Sequence, residues 1–211
     1  MAGWALAALG LYFLLCFGLR SVIQLRKTGS SGFYGISGRP GSVEWIGGVL
    51  FVVALALGVL APVADLAGWI EPLGFDGTAT RVAGLAAFAL GLAGTLAAQL
   101  AMGSSWRIGV DQEERTELVT SGPFALVRNP IFAGMIPTSI GVALLVPNWI
   151  AIAGVLALWT ALEIQTRLVE EPYLKRVQGS VYIDYASRTG RFVPGIGTLK
   201  RPHTDSGNAP V

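Results

Sequence analysis

The sequence predicts an all-α integral membrane protein of about five transmembrane helices with a C-terminal cytoplasmic segment. Composition is the first reason: of 211 residues, 53% are hydrophobic and 13% charged, with a mean hydropathy of +0.60. Soluble domains carry about 25% charged residues. The second reason is a series of apolar runs close to the roughly twenty residues that cross a bilayer. The third is that arginines, carboxylates and tyrosines gather just beyond the ends of those runs, where an ionisable group near lipid is costly and marks function.

The first run, residues 2–19, has no Lys or Arg ahead of it, while Arg20, Arg26, Lys27 and Arg39 follow. A secretory signal has the reverse charge order, so this is expected to be a retained helix with its N-terminus outside. Further spans are expected at 45–60, 82–102, 131–146 and 150 to about 168, the last two being short. The segment 62–81 carries Asp65, Glu71 and Asp76 against a single Arg, whereas 20–44 and the C-terminal part are basic. The positive-inside rule then places the N-terminus out and the C-terminus in the cytoplasm, with 103–128 on the cytoplasmic side. Pro147-Asn148 reads as a turn between antiparallel helices, and Pro137 as a kink in the fourth. Gly84, Gly91, Gly94, Ala97 and Ala98 form a small-residue face suited to close helix packing. Residues 1–197 read as one membrane domain, and the polar, Gly- and Pro-rich 198–211 as a disordered tail.

A net charge of +2 is too small to argue for nucleic acid and no basic run supports it, so no nucleic-acid partner is expected. Cys16 is the only cysteine, so no internal disulfide forms. No metal site is assigned.

Three groups of residues could carry chemistry. In Gly122-Pro123-Phe124 and Arg128-Asn129-Pro130-Ile131-Phe132-Ala133-Gly134, Asn129 suits an N-cap and Pro130 a first helical position. The same helix start, with its free N–H groups and Arg128, would also cradle an anion. Glu163, Arg167, Glu170, Glu171 and Leu174 follow the spacing of one helical face. They read either as an ion-pair ladder, Glu163 with Arg167 and Arg167 with Glu171, or as paired carboxylates for ribose hydroxyls or an ammonium group. Tyr182, Tyr185 and Arg188 stack on one helical side, with Arg191 beyond. That is either an interfacial belt or a surface for a cationic sulfonium or an adenine ring. Trp106 reads as an interface anchor, and Arg107 beside it as a partner for an anionic lipid substrate.

At these residues the chain resembles the isoprenylcysteine carboxyl methyltransferase family, membrane enzymes that use S-adenosylmethionine and have relatives acting on phospholipid amines. The resemblance rests on Leu118-Val119-x-x-Gly122-Pro123-Phe124, Arg128-Asn129-Pro130-x-Phe132-x-Gly134, and Glu170-Glu171-Pro172-Tyr173-Leu174 through Gly179, Tyr182 and Tyr185 to Arg191-Phe192-Val193-Pro194. It covers about the C-terminal half. Asn129 stands where the family has His, Phe132 where it has Tyr, and Pro172 where it has a continuous helix, so a kink is expected after Glu171. The only histidine is His203, so no histidine general base is expected.

The resemblance implies S-adenosylmethionine as cofactor and methyl transfer to a lipophilic acceptor (carboxylate, thiol or amine) entering from the lipid, in a bacterial plasma membrane. Cofactor-binding residues would be Gly122, Pro123, Arg128, Asn129, Pro130, Gly134, Glu170, Glu171, Tyr182 and Tyr185. Arg128, Glu171 and Arg188 would be catalytic, and Trp106, Arg107 and Arg191 would bind substrate. Two rivals stand: an NADPH-dependent membrane reductase of the sterol or steroid type, which would want more basic residues and more spans, and a non-enzymatic lipid-binding membrane protein.

Overall fold

The computed structural model describes residues 1–32, 35–103, 106 and 118–200. Its first helix, α1, is Ala2–Thr28, widened to a π-helix over Leu14–Leu19. Then come α2 (Val43–Leu66), α3 (Thr78–Met102), the single turn α4 (Pro123–Leu126), α5 (Pro130–Leu145) and α6 (Trp149–Ile164). α6 continues through π-helical Gln165–Glu170 into α7 (Glu171–Arg188). Four of these helical runs are long and apolar enough to cross a membrane, and α5 is a shorter apolar helix. The five expected spans are thus present as helices, with the fourth, α5, at 16 residues.

α3 and α5 lie antiparallel with their backbones in contact. A Cβ on Gly91 would come within 2.6 Å of the Gly134 carbonyl oxygen, and one on Gly141 within 2.7 Å of that of Gly84. The Gly84 and Gly91 part of the expected small-residue face is therefore met by an equal stripe on α5, seven residues apart on each helix, whereas Ala97 is exposed. Close van der Waals contact of this kind holds helices together where lipid offers no hydrophobic drive. α5 runs as one helix through Pro137. At the Pro147-Asn148 turn the Asn148 side chain accepts from the Ala151 N–H at 2.9 Å and donates to the Ala61 carbonyl at 3.1 Å. That both caps α6 and ties it to α2. Exposed Trp69 and Trp149 flank this end as an interfacial belt would.

α1 lies beside α3 in a parallel register. Tyr12 Oη and Thr95 Oγ1 are 3.3 Å apart, Gln99 Nε2 donates to the Cys16 carbonyl at 2.8 Å, and the Arg20 guanidinium donates to the Gly103 carbonyl. Each contact lies four residues beyond the last on both helices. The Cys16 carbonyl is within the π-helix, where wider winding loosens the i to i+4 ladder and leaves acceptors for such bonds.

Two local expectations are corrected. The kink expected directly after Glu171 falls further on: the helix widens before Pro172, over Gln165–Glu170, and breaks at Gly179, whose φ is 55°. Proline has no N–H to give and its ring crowds the carbonyl four residues back, so a π-turn just ahead of it accommodates the ring. Leu199 also belongs to the packed structure, its N–H donating to the Ala186 carbonyl at 2.9 Å beside Tyr182 and Tyr185. The remaining expected tail, 201–211, lies outside the described residues.

Candidate active site

The start of α5 and the end of α7 meet at one end of the bundle. Gly122 (φ 60°) and Pro123 open the turn α4. Val127 then pairs with Gly190 in a parallel bridge, the Arg128 N–H donates to the Gly190 carbonyl at 2.8 Å, and the Asn129 N–H to that of Arg191 at 3.1 Å. Gly190 has no room for a side chain, because a Cβ there would stand 2.8 Å from the Gly195 nitrogen. Beyond it the chain turns back on itself, with the Arg191 N–H donating to the Ile196 carbonyl at 2.8 Å. Phe192 packs against Trp159 of α6, ring centroids 5.9 Å apart.

Arg128 is threaded into this turn. One terminal nitrogen donates to the carbonyls of Ala186 (3.1 Å) and Thr189, the other to Glu171 Oε1 (2.7 Å) and the Gly197 carbonyl (2.9 Å). A helix end leaves carbonyls without intrahelical donors and carries a partial negative charge, so a cation suits the end of α7. Arg191 grips the same carboxylate with two donors, Nε at 2.7 Å and Nη2 at 3.1 Å. The hydrogen bonds it donates to the Glu171 carboxylate hold the Arg191 guanidinium above its ordinary pKa. The side chains of Arg128, Glu171 and Arg191 are 2%, 5% and 11% exposed. Two cations thus share one carboxylate inside the protein. The Nε–H of Arg128 is buried and has no hydrogen-bond partner among the described residues. Tyr182 and Tyr185 are buried alongside, edge to face with centroids 6.3 Å apart, and the Tyr185 hydroxyl donates to the Phe124 carbonyl at 2.5 Å.

The structure brings Arg128, Asn129, Pro130, Glu171, Tyr182, Tyr185 and Arg191 together and reassigns others. Gly134 lies in the α3–α5 contact, where a Cβ would meet the Thr95 nitrogen at 2.7 Å, so helix packing fills the space a ligand would need. Arg188 is exposed, its Nε donating to the Asp184 carbonyl at 3.2 Å, and it is not part of the cluster. Two three-residue steps turn a helix by about 120° away from the starting face, so Tyr182 and Arg188 part company. Arg167 pairs with Glu163 and not with Glu171. The π-turn inserts an extra residue and rotates the next turn of helix by about 100°, moving Glu171 off that face. Asn129 occupies the N-cap position without a capping bond, and its Nδ2 instead donates to the Arg191 carbonyl at 3.4 Å. Trp106 is no surface anchor: it is 2% exposed beneath the Arg20 guanidinium, 4.7 Å from ring centroid to the cation's carbon. Glu170 is half-buried next to Glu171, Gly122 is exposed and Pro123 half-buried at the rim. Arg107 lies outside the described residues.

Sequence reasoning treats Arg20 only as a topology signal. The clue lies in the four-residue steps Tyr12, Cys16, Arg20 and Gln24, a stripe of less apolar residues along an otherwise aliphatic helix, all of them buried.

Fold and site define a class: multi-span helical membrane proteins whose last helices fold an arginine and carboxylate cluster at one end of the bundle. Residues 79–180 match the family model described as phospholipid methyltransferase. The chain is 33% identical over 90 residues to protein-S-isoprenylcysteine O-methyltransferase B of Arabidopsis thaliana, covering 42% of this chain and 45% of that relative. It thus spans less than half the relative's length. The solved eukaryotic intramembrane Ras methyltransferase, an isoprenylcysteine carboxyl methyltransferase, superposes with a TM-score of 0.63 at 25% identity, over 94% of this chain and 67% of that one. Together these matches support placing the chain with the isoprenylcysteine carboxyl methyltransferase family of integral membrane proteins.

Proposed function

We propose that this protein is a methyltransferase that moves a methyl group from S-adenosylmethionine to a lipophilic acceptor at the cytoplasmic membrane face. The observation that carries the reading is the buried cluster in which Arg128 and Arg191 share Glu171, with an Arg128 Nε–H that has no partner among the described residues. Both relatives are methyltransferases by name, which favours methyl transfer over a nicotinamide reductase.

The residues fit this cofactor. An orphaned, buried guanidinium donor suits the carboxylate of an amino acid moiety. Tyrosine rings suit a cation or a nucleobase. Both oxygens of Glu171 are held by arginines, so Glu171 and Arg191 position Arg128. In this reading the ribose hydroxyls or the amine fall to Glu170, which has a partner of its own within the chain. Asn129, Pro130, Gly122 and Pro123 form the wall. Bound there, the cofactor supplies a methyl carbon activated by positive sulfur. The chain's part is to align the acceptor in line with that carbon and keep water out, since an anion meeting a cation reacts faster in a dry site.

S-adenosylhomocysteine should raise the melting temperature of the full chain in neutral detergent, and NADPH should not, because a ligand of the native state stabilises it. Glu170→Gln should weaken that binding by about 1–3 kcal/mol, the scale of a lost charged hydrogen bond. A wild-type protein indifferent to S-adenosylhomocysteine ends the proposal. The cytoplasmic placement rests on the loop charges. Cysteines placed at Gly77 and Gly179 should label from opposite sides of sealed vesicles, and labelling of both from one side overturns it.

A further inference from the structure

We propose that the tight turn Val193-Pro194-Gly195-Ile196 is a lipid-inserted tip, immersed among the acyl chains of the leaflet next to the candidate site. The five residues 192–196 contain no polar side chain. Pro194 and Gly195 (φ 74°) take the two middle positions, and the Ile196 N–H donates to the Val193 carbonyl at 3.1 Å, as in a type II turn. Val193 and Ile196 stand opposite each other in an isolated antiparallel bridge, so their side chains share a face. They are 49% and 65% exposed. Aliphatic side chains gathered outward on one small turn mark a surface that another apolar phase covers.

The depth of the turn commits it to lipid rather than to a soluble partner. At the opposite end of the bundle, exposed Trp69 and Trp149 flank the Pro147-Asn148 turn. From there α5 runs back for 16 residues, about 24 Å at 1.5 Å per residue, against a hydrocarbon core of about 30 Å. Its first turn therefore stops short of the far edge of that core. The hairpin is tied to this helix start, because the Asn129 N–H donates to the Arg191 carbonyl at 3.1 Å. Its other neighbour lies deeper: Phe192 meets Trp159, which is about 15 Å along α6 from Trp149 and so near the middle of the bilayer. Trp159 and Leu156 are exposed on a helix long and apolar enough to cross the membrane, so the tip adjoins a surface that lipid covers. Irregular backbone at such depth has to satisfy its own polar groups. Here the Arg191 N–H donates to the Ile196 carbonyl at 2.8 Å, the Ile196 N–H to that of Val193, and Pro194 has no N–H to satisfy. The hairpin whose Arg191 grips Glu171 thus has its tip in the lipid.

The test uses the full chain in phosphatidylcholine nanodiscs, whose two faces are both open to a water-soluble maleimide. Val193→Cys and Ile196→Cys are compared with Leu156→Cys as the lipid standard and Lys200→Cys as the water standard, with the wild type, whose Cys16 is buried, as background. Both tip cysteines should react roughly tenfold or more slowly than Lys200→Cys, because the reactive thiolate is disfavoured away from water. Bimane attached to the same cysteines in detergent, before reconstitution, should be quenched by lipids brominated along their acyl chains, as on Leu156→Cys and unlike Lys200→Cys. Ile196→Asp should lower the melting temperature in nanodiscs relative to Ile196→Leu, since a carboxylate is costly in hydrocarbon and free in water. Reaction at the Lys200→Cys rate puts the tip in water, open to a soluble partner, and overturns the proposal. Slow reaction without bromine quenching means that protein covers the tip, and overturns it equally, as does an Ile196→Asp protein as stable as Ile196→Leu. The two tip cysteines are read independently, so one that fails to fold leaves the other to decide. The result stands apart from the methyl-transfer reading: indifference to S-adenosylhomocysteine ends that reading and leaves the lipid-inserted tip untouched.

Discussion

Two buried arginines at the same end of the bundle are satisfied in different ways. Arg128 has a shared carboxylate and three backbone carbonyls, and the segments it joins are also bound to each other by backbone hydrogen bonds. Among the described residues Arg20 has a single carbonyl and an indole face. A buried charge already surrounded by fixed acceptors holds structure in place, whereas one left short of acceptors in a low-dielectric setting is primed for a ligand of opposite sign. The difference makes Arg128 the more firmly fastened of the two among the described residues, with one donor left over.

The sharpest way to break that comparison is to remove the shared anion. Glu171→Gln leaves two guanidinium groups facing each other without compensation, and loss of one member of a buried ion pair costs about 3–5 kcal/mol. The protein should unfold at markedly lower temperature in detergent, and α5 and α7 should become accessible to protease together. In the α1–α3 ladder, Gln99→Leu removes the bond to the Cys16 carbonyl and should cost only about 0.6 kcal/mol, the average for a hydrogen bond between membrane helices. The oxygen of that amide has no partner among the described residues, which offsets part of the loss. Measured in one melting series, a Gln99→Leu protein less stable than Glu171→Gln would reverse the ranking and make the ladder, not the cluster, the main fastening.

Spans, packing face and motif residues are legible in the sequence because each depends on a local pattern: apolar length, small-residue spacing, turn chemistry. The α3 stripe of Gly84 and Gly91 is readable from residue type and spacing and meets its partner in Gly134 and Gly141. Gly134 itself reads as a cofactor residue because a glycine in a motif looks the same whether a ligand or another helix fills the space above it. The helical face through Glu163, Arg167 and Glu171 fails for a different reason. Periodicity assumes regular winding, and the π-turn at Gln165–Glu170 breaks it with no mark in composition. Arg191 reads as a substrate residue because nothing in the sequence says that Glu171 holds two arginines, a fact created by the return of the chain at Gly190.

The smallest effect, and the one that best separates fastening from recognition inside the cluster, is expected at Asn129. A capping asparagine replaced by alanine would cost about 1 kcal/mol. Here the side chain makes no cap, and its bond to the Arg191 carbonyl is long at 3.4 Å, while the backbone N–H of the same residue makes the shorter bond at 3.1 Å that survives any substitution but proline. Asn129→Ser should therefore leave the melting temperature within the roughly ±0.5 kcal/mol range of a neutral surface change. Activity should behave differently if the amide reaches the cofactor, because serine is too short to do so. Asn129→His, which restores a longer side chain with a ring nitrogen, should then retain more methyl transfer than Asn129→Ser at equal stability. A serine variant with full activity would leave Asn129 as a wall residue only, and a serine variant that loses stability and activity in proportion would return it to the fastening that Arg128 and Glu171 provide.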